Sequence, residues 1–156
     1  MLVGTVAKGD GVITPIHTKA DAIKAFGTSE LTDMIDTYQN NAISPSVYAL
    51  GIKADTDIDA VLSTNQQRFW LIGCGLSANT DSTKIINHFT KQTGAGTHMA
   101  GMVFLSKKVS TIDSSLNTYN SPAVSVMALQ NNYPVAEHVA TAGVVATVSN
   151  LSLIHI

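Results

Sequence analysis

The apolar positions of this chain fall into short blocks, and the spacing within each block names an element. Leu2 to Val6 is an apolar run that ends in the turn cluster Lys8-Gly9-Asp10-Gly11. Val12 to His17 reads as a second extended piece; Pro15 cannot donate to a ladder, so it places the piece at an edge or outside a sheet. Thr18 is set to cap a short helix over Ala20 to Phe26, with Asp21 three residues on as the weaker form of a capping box and Gly27 as the stop. Thr28 or Ser29 caps the next helix. Its Leu31, Met34, Ile35 and Tyr38 recur at i, i+3, i+4 and i+7, and Asn40-Asn41 ends it.

From Val47 onward the period alternates. Val47 to Ile52 predicts a strand, and Asp57 to Ser63 a short helix through Ile58, Val61 and Leu62. Arg68 to Cys74 is nearly continuously apolar, the pattern of a strand buried on both faces. Asp81 caps a helix carrying Ile85, Ile86 and Phe89, stopped near Gly94. Met99 to Leu105 is another buried strand, Ser110 to Tyr119 a weaker helix through Ile112, Leu116 and Tyr119, and Ala123 to Leu129 a further strand. Pro134 suits the first position of a last helix running to about Ser149, with a small-residue face of Val135, Val139, Ala142 and Ala146. Strand and helix in alternation with short connections predict an α/β domain: a mostly parallel sheet, helices on both faces, and an N-terminal extended strand. With no linker, repeat or low-complexity segment, residues 1–150 read as one domain.

The last six residues, Leu151 to Ile156, stand apart. LSLIHI follows a helical pattern that has no stop signal, and it is what one frame of a common transposase-based sequencing adapter translates to. Residues 151–156 are therefore read as an adapter scar on a truncated metagenomic fragment, and His155 is left out of the chemistry.

Composition narrows the function. Of 156 residues 45% are apolar and only 13% charged, against roughly 25% charged in soluble domains. A surface so weakly charged repels its own copies little and suits self-association. The formal net charge is −2 with scattered lysines, so no basic stripe exists to neutralise phosphates, and nucleic acid is not an expected partner. No apolar run approaches the ~20 residues of a spanning helix, so membrane insertion is not expected either. Gly4 and Lys8 break up the N-terminus where a signal peptide would need an apolar stretch. The single Cys74 excludes an intrachain disulfide and a thiol-rich metal site.

Motifs for chemistry are few. Gly73-Cys74-Gly75-Leu76-Ser77-Ala78 follows a strand and has the form of a dinucleotide fingerprint, whose glycines let backbone approach a pyrophosphate. Yet the next helix begins near Asp81, and no Asp or Glu stands near Thr97-His98 to hold a ribose. Thr93-Gly94-Ala95-Gly96-Thr97 lacks the lysine of a phosphate loop and reads as a helix stop. Cys74 with His88 or His98 as base is a formal nucleophile pair, but a cysteine at a buried strand end behaves as a small apolar residue. His17, His88, His98 and His138 form no metal-ligand spacing, and Asp33 with Asp36, and Asp57 with Asp59, read as helix-face or capping acids. No catalytic residue, cofactor or metal site is assigned.

Two stretches carry a resemblance. Leu2-Val3-Gly4-Thr5-Val6-Ala7-Lys8-Gly9, then Ile13-Thr14-Pro15-Ile16-His17-Thr18-Lys19-Ala20-Asp21-Ala22 and Phe26-Gly27, resembles the opening of bacteriophage contractile-tail sheath proteins, a "GxxxKG…TPxxxTSxADAxxxFG" pattern. Gly101 to Ser106, a helix, and Asn120-Ser121-Pro122-Ala123-Val124-Ser125-Val126-Met127 are similar to the family's later segment, where an "NSPxxxxM" strand precedes an Ala-rich helix. The resemblance covers most of residues 2–149. It departs at Lys53 to Asp57, where the joint is too short for the family's outer domain, and it lacks the family's N-terminal extension and its C-terminal arm, which makes Met1 an internal start.

The resemblance implies a structural virion protein: a homo-oligomer in stacked rings around a tail tube protein, assembled in the bacterial host cytoplasm and located in the phage tail. Contraction then drives the tube through the host envelope for genome ejection. Leu2, Val3, Gly4, Thr5 and Val6 are the candidate inter-subunit strand, an ordinary internal strand being the alternative. Two further readings stay open: a nucleotide-binding domain or small enzyme using the Gly73 to Ala78 turn, and a sheath-like subunit of a phage-derived injection or secretion machine.

Overall fold

A computed structural model describes residues 1–9, 11–65, 67, 69–75, 83–88, 102–109 and 124–154, the last four by backbone alone. The elements are β1 (Leu2–Thr5), β2 (Thr14–Ile16), α1 (Lys19–Phe26), α2 (Glu30–Asn41), β3 (Val47–Ile52), α3 (Ile58–Thr64), β4 (Leu71–Cys74), α4 (residues 83–88), β5 (Met102–Val109), β6 (Val124–Gln130) and α5 (Glu137–Ile154). The predicted helix over Ser110 to Tyr119 falls outside the described residues.

The helix signals act as their chemistry requires. Thr18 Oγ1 accepts from the Asp21 N–H at 3.1 Å while Asp21 Oδ2 accepts from the Thr18 N–H at 3.0 Å, a reciprocal capping box on α1. Gly27 ends α1 at φ 69°, a region that only glycine enters without strain. Ser29 caps α2, whose Leu31, Met34 and Ile35 are fully buried. Burial of each is worth ~1.5–3 kcal/mol. That outweighs the marginal stability of a 12-residue helix on its own.

The six strands run β2-β3-β1-β4-β5-β6. Only β2 is antiparallel, paired to β3 through Pro15↔Tyr48, and it takes the edge position that its proline demands. The other five are parallel, in the spatial order β3-β1-β4-β5-β6 of a doubly wound sheet. One apolar layer joins Leu2, Phe26, Leu31, Met34, Ile35, Phe104, Ala142 and Val145, so α1, α2 and α5 share a face. The opposite layer joins Val3, Leu50, Ile58, Leu62, Ile72, Cys74, Ile85, Ile86, Val103 and Leu105, so α3 and α4 share the other. The predicted α/β class with helices on both faces is what the chain adopts.

Three expectations need correction. β1 is not a strand offered to a neighbour. Leu2–Thr5 pairs with Ala49–Ile52 of β3 on one side, and Leu2 and Val3 pair with Gly73 and Cys74 of β4 on the other. Both its edges are thus used within the chain, at the centre of the sheet. β5 runs on past Leu105, where the apolar run ends, because Ser106 to Val109 keep pairing with Met127 to Gln130 of β6 although Ser106, Lys107 and Lys108 are polar or charged; Met99 to Gly101 lie outside the described residues. α5 begins at Glu137, three residues past Pro134. A turn closed by the Tyr133 N–H on the Gln130 carbonyl precedes Pro134, and Ala136 accepts the first helical bond from Ala140.

Candidate functional site

In a doubly wound sheet the crevice for a ligand opens at the carboxyl ends of the strands, where the strand order reverses. Here that point lies between β1 and β4, and Gly73-Cys74-Gly75 ends β4 there. α2 and α5 deliver their first residues, Glu30 and Glu137, to the same edge. The α2 end is fixed by Ser29 Oγ, which accepts from the Thr32 N–H at 3.3 Å, and by the Thr32 hydroxyl, which donates to the Gly27 carbonyl at 2.6 Å. The α5 end is fixed by Glu137, whose Oε2 accepts from the Lys108 N–H at 3.0 Å.

The dinucleotide fingerprint has a packing explanation in its described half. The Gly73 N–H donates to the Met1 carbonyl and the Gly75 N–H to the Val3 carbonyl, each at 2.9 Å. Both donors belong to the sheet and neither points at a crevice. A Cβ on Gly75 would lie 2.6 Å from Glu30 Oε1, 2.7 Å from His138 Cβ and against Met34 Sδ. Glycine is needed there because side chains from α2 and α5 close over the strand end. Leu76, Ser77, Ala78, Asp81 and His98 lie outside the described residues.

The group that gathers at Gly75 was not legible as a site. Glu30 is half-buried, and its Oε1 is enclosed with no hydrogen-bond partner. Burial, and secondarily the charge of Glu137, push its pKa up to about 7. His138 is held below the ordinary histidine range by burial, with Asp33 and Glu137 pulling the other way. Two helix N-termini come to this edge, and each helix begins with a carboxylate whose charge would oppose an anion there. In the sequence these residues signal only acidic first turns and one scattered histidine; nothing local says that they meet.

Cys74 is buried in the apolar layer with Val3, Ile72 and Ile85, as a strand-end cysteine is expected to be, and His88 is buried on α4. Among the described residues no group of three or more His, Cys, Asp or Glu side chains could hold a metal ion. No described helix is long and apolar enough to cross a membrane.

A second feature lies at the far end of the sheet. β6 is the last of the described strands, and five of its seven residues are half-buried. Between β6 and α5 runs a groove of about 410 Å³ lined by Met127, Leu129, Tyr133, Val135, Val144 and Val148 among others, none of them charged. An inner cavity of about 270 Å³ adjoins it through Met127 and Val144, and among its lining residues is Ser106, whose buried hydroxyl has no partner.

Fold and site together define an α/β protein with a doubly wound, mostly parallel sheet, an acid from each of two helices at the end of its central strands and an apolar groove at one edge. A scan against protein-family models finds none that matches, and a search of curated proteins finds no match either.

Proposed function

We propose that the chain is a structural assembly subunit of the contractile-tail sheath type and not a catalyst. The observation that carries this reading is β6. Val124–Gln130 holds no charged residue, stands at the end of the sheet and is flanked by the apolar groove. Proteins commonly blunt such edges with charge, proline or a covering element, and one left apolar is a template for a packed neighbour. The low charge of the chain adds to this, since copies approach one another at little electrostatic cost. On this reading the chain is a homo-oligomer in stacked rings around a tail tube protein in the virion, and it needs no cofactor. A subunit of a phage-derived injection or secretion machine would use the same edge.

The nucleotide-binding alternative draws on the position of the Gly73 to Ala78 turn at the reversal of strand order. Against it stand the sheet-bound N–H groups of Gly73 and Gly75, and the negative charge of Glu137 beside Glu30. Electron microscopy of the protein, alone and mixed with the tube protein encoded beside its gene, is the test. Rings or tubular sheaths are the expected result. A monodisperse monomer at every concentration, with the tube protein present, would overturn the assembly reading. Saturable binding of ATP or NAD by calorimetry would favour the alternative.

A further inference from the structure

The amino-terminal turn of α5 packs beside an acid, Glu30, one of whose carboxylate oxygens is buried without a hydrogen-bond partner. Glu30 Oε1 is enclosed where α2, the end of β4 and α5 meet, close to Gly75 and within the same contact as Met34 Sδ and His138 Cβ. Among the described residues no donor compensates a charge at that oxygen. Among the described residues, the charged and titratable groups around it are Glu137 and His138 from α5 and Asp33 one turn along α2. β4 contributes only Gly75, and β5 contributes the Lys108 N–H, already held by Glu137. The nearest like charge, Glu137, thus sits on the helix that moves if the contact opens.

We propose that Glu30 is a proton-operated latch: with its carboxyl protonated the first turns of α5 seat on α2 and the end of β4, and loss of that proton loosens them. A neutral carboxyl accepts a non-polar enclosure and does not repel Glu137. Ionised, it is a desolvated charge beside a second one. Once α5 lifts, Glu30 is solvated and regains the ordinary carboxylate pKa of 4.5, against about 7 when docked. Opening therefore releases a proton between those values, and rising pH favours it through that window. Below 4.5 the carboxyl is protonated in both states, and above 7 it is ionised in both, so the opening equilibrium is level on either side. His138, whose pKa is lowered in the docked state, works in the opposite sense, but its displacement is the smaller. The net direction is that of Glu30. Because α5 forms one wall of the groove beside β6, the latch links pH to the shape of that groove. This inference does not rest on the assembly reading.

Hydrogen exchange read by mass spectrometry across pH 4–8, corrected for intrinsic rates, is the test. α3, on the opposite face of the sheet from α2 and α5, serves as the internal reference. Protection of residues 137–145 is expected to fall by up to about tenfold per pH unit between 4.5 and 7 and then level off, while α3 stays constant. Glu30→Gln should flatten the profile with α5 docked throughout. Glu137→Gln keeps an oxygen for the Lys108 N–H but removes the like charge, and should move the levelling point to lower pH. A profile in the unaltered protein that is flat, or a slope that survives Glu30→Gln, would overturn the latch. If Glu30→Gln fails to fold, an unmoved levelling point in Glu137→Gln would do the same.

Discussion

Gly4 sits on the central strand directly beneath α2, and Gly4→Ala measures how tightly that helix is seated. A Cβ at position 4 would lie 3.0 Å from Leu31 Cβ, 3.2 Å from Leu31 Cα and 3.3 Å from Leu31 N. Ordinary carbon contacts are ~3.5–4.0 Å, so roughly half an ångström must be found. The obstructing atoms include backbone, which no rotamer change can remove. β1 yields little, because Gly4 is paired to Gly51 of β3 and the adjoining Leu2 and Val3 are paired on both sides. α2 cannot shift freely, because Leu31, Met34 and Ile35 are fully buried. Overpacking of this kind costs ~1–3 kcal/mol, and the smaller unfolded-state entropy of alanine returns ~0.4–1 kcal/mol. The expected net loss is ~1–2 kcal/mol, or a fall in Tm of roughly 3–8 °C for a chain of this size. Urea unfolding followed by far-UV circular dichroism should show a lower midpoint at unchanged slope. Gly143→Ala is the companion measurement. It lies inside α5, and its Cβ would meet nothing nearer than Thr37 Cγ2 at 4.0 Å. Helix propensity alone should then raise stability by ~0.5–1 kcal/mol. A Gly4→Ala protein as stable as the parent would refute the close seating of α2 on β1.

Other residues give independent checks. Asn150 ties the far end of α5 to α2, its Oδ1 accepting from the Ile43 N–H at 2.9 Å and its Nδ2 donating to the Asn41 carbonyl at 2.8 Å. Asn150→Ala should cost ~1 kcal/mol, with faster amide exchange confined to residues near Ile43. The Met1 amine is buried, donates to the Leu71 carbonyl at 2.7 Å and has its pKa lowered by that burial from 8.0 to about 5. The unfolded chain therefore binds the extra proton between pH 5 and 8, so this group makes stability rise with pH across that window, by ~4 kcal/mol at most. Glu30 slopes the other way below pH 7, so the rise should emerge clearly in Glu30→Gln. It should vanish when one residue added before Met1 turns the amine into a peptide N–H. Urea midpoints at pH 5, 6, 7 and 8 decide between these outcomes.

Local physics made much of the architecture legible from the chain itself. Thr18 with Asp21, Gly27, Ser29 and the Leu31-Met34-Ile35 stripe act within one or two helical turns, so their meaning does not depend on what lies elsewhere. Pro15 excluded its segment from the interior of any sheet, and the alternation after Val47 was enough for a mostly parallel α/β class. What periodicity cannot carry is which strand lies beside which. Leu2 to Val6 reads equally as an edge or a centre, and the pairings with β3 and β4 placed it at the centre. The C-terminal extent of β5 was set by its partner β6, which holds Ser106, Lys107 and Lys108 in the ladder against their polar character. α5 starts three residues past the one local signal for it, Pro134. The cluster at Gly75 belongs wholly to the tertiary level: Glu30 and His138 are far apart in the chain, and only the stacking of α2 and α5 over one strand end brings them together. Burial there sets the charge of Glu30, and burial is a property of the assembled layers, which no window of sequence contains.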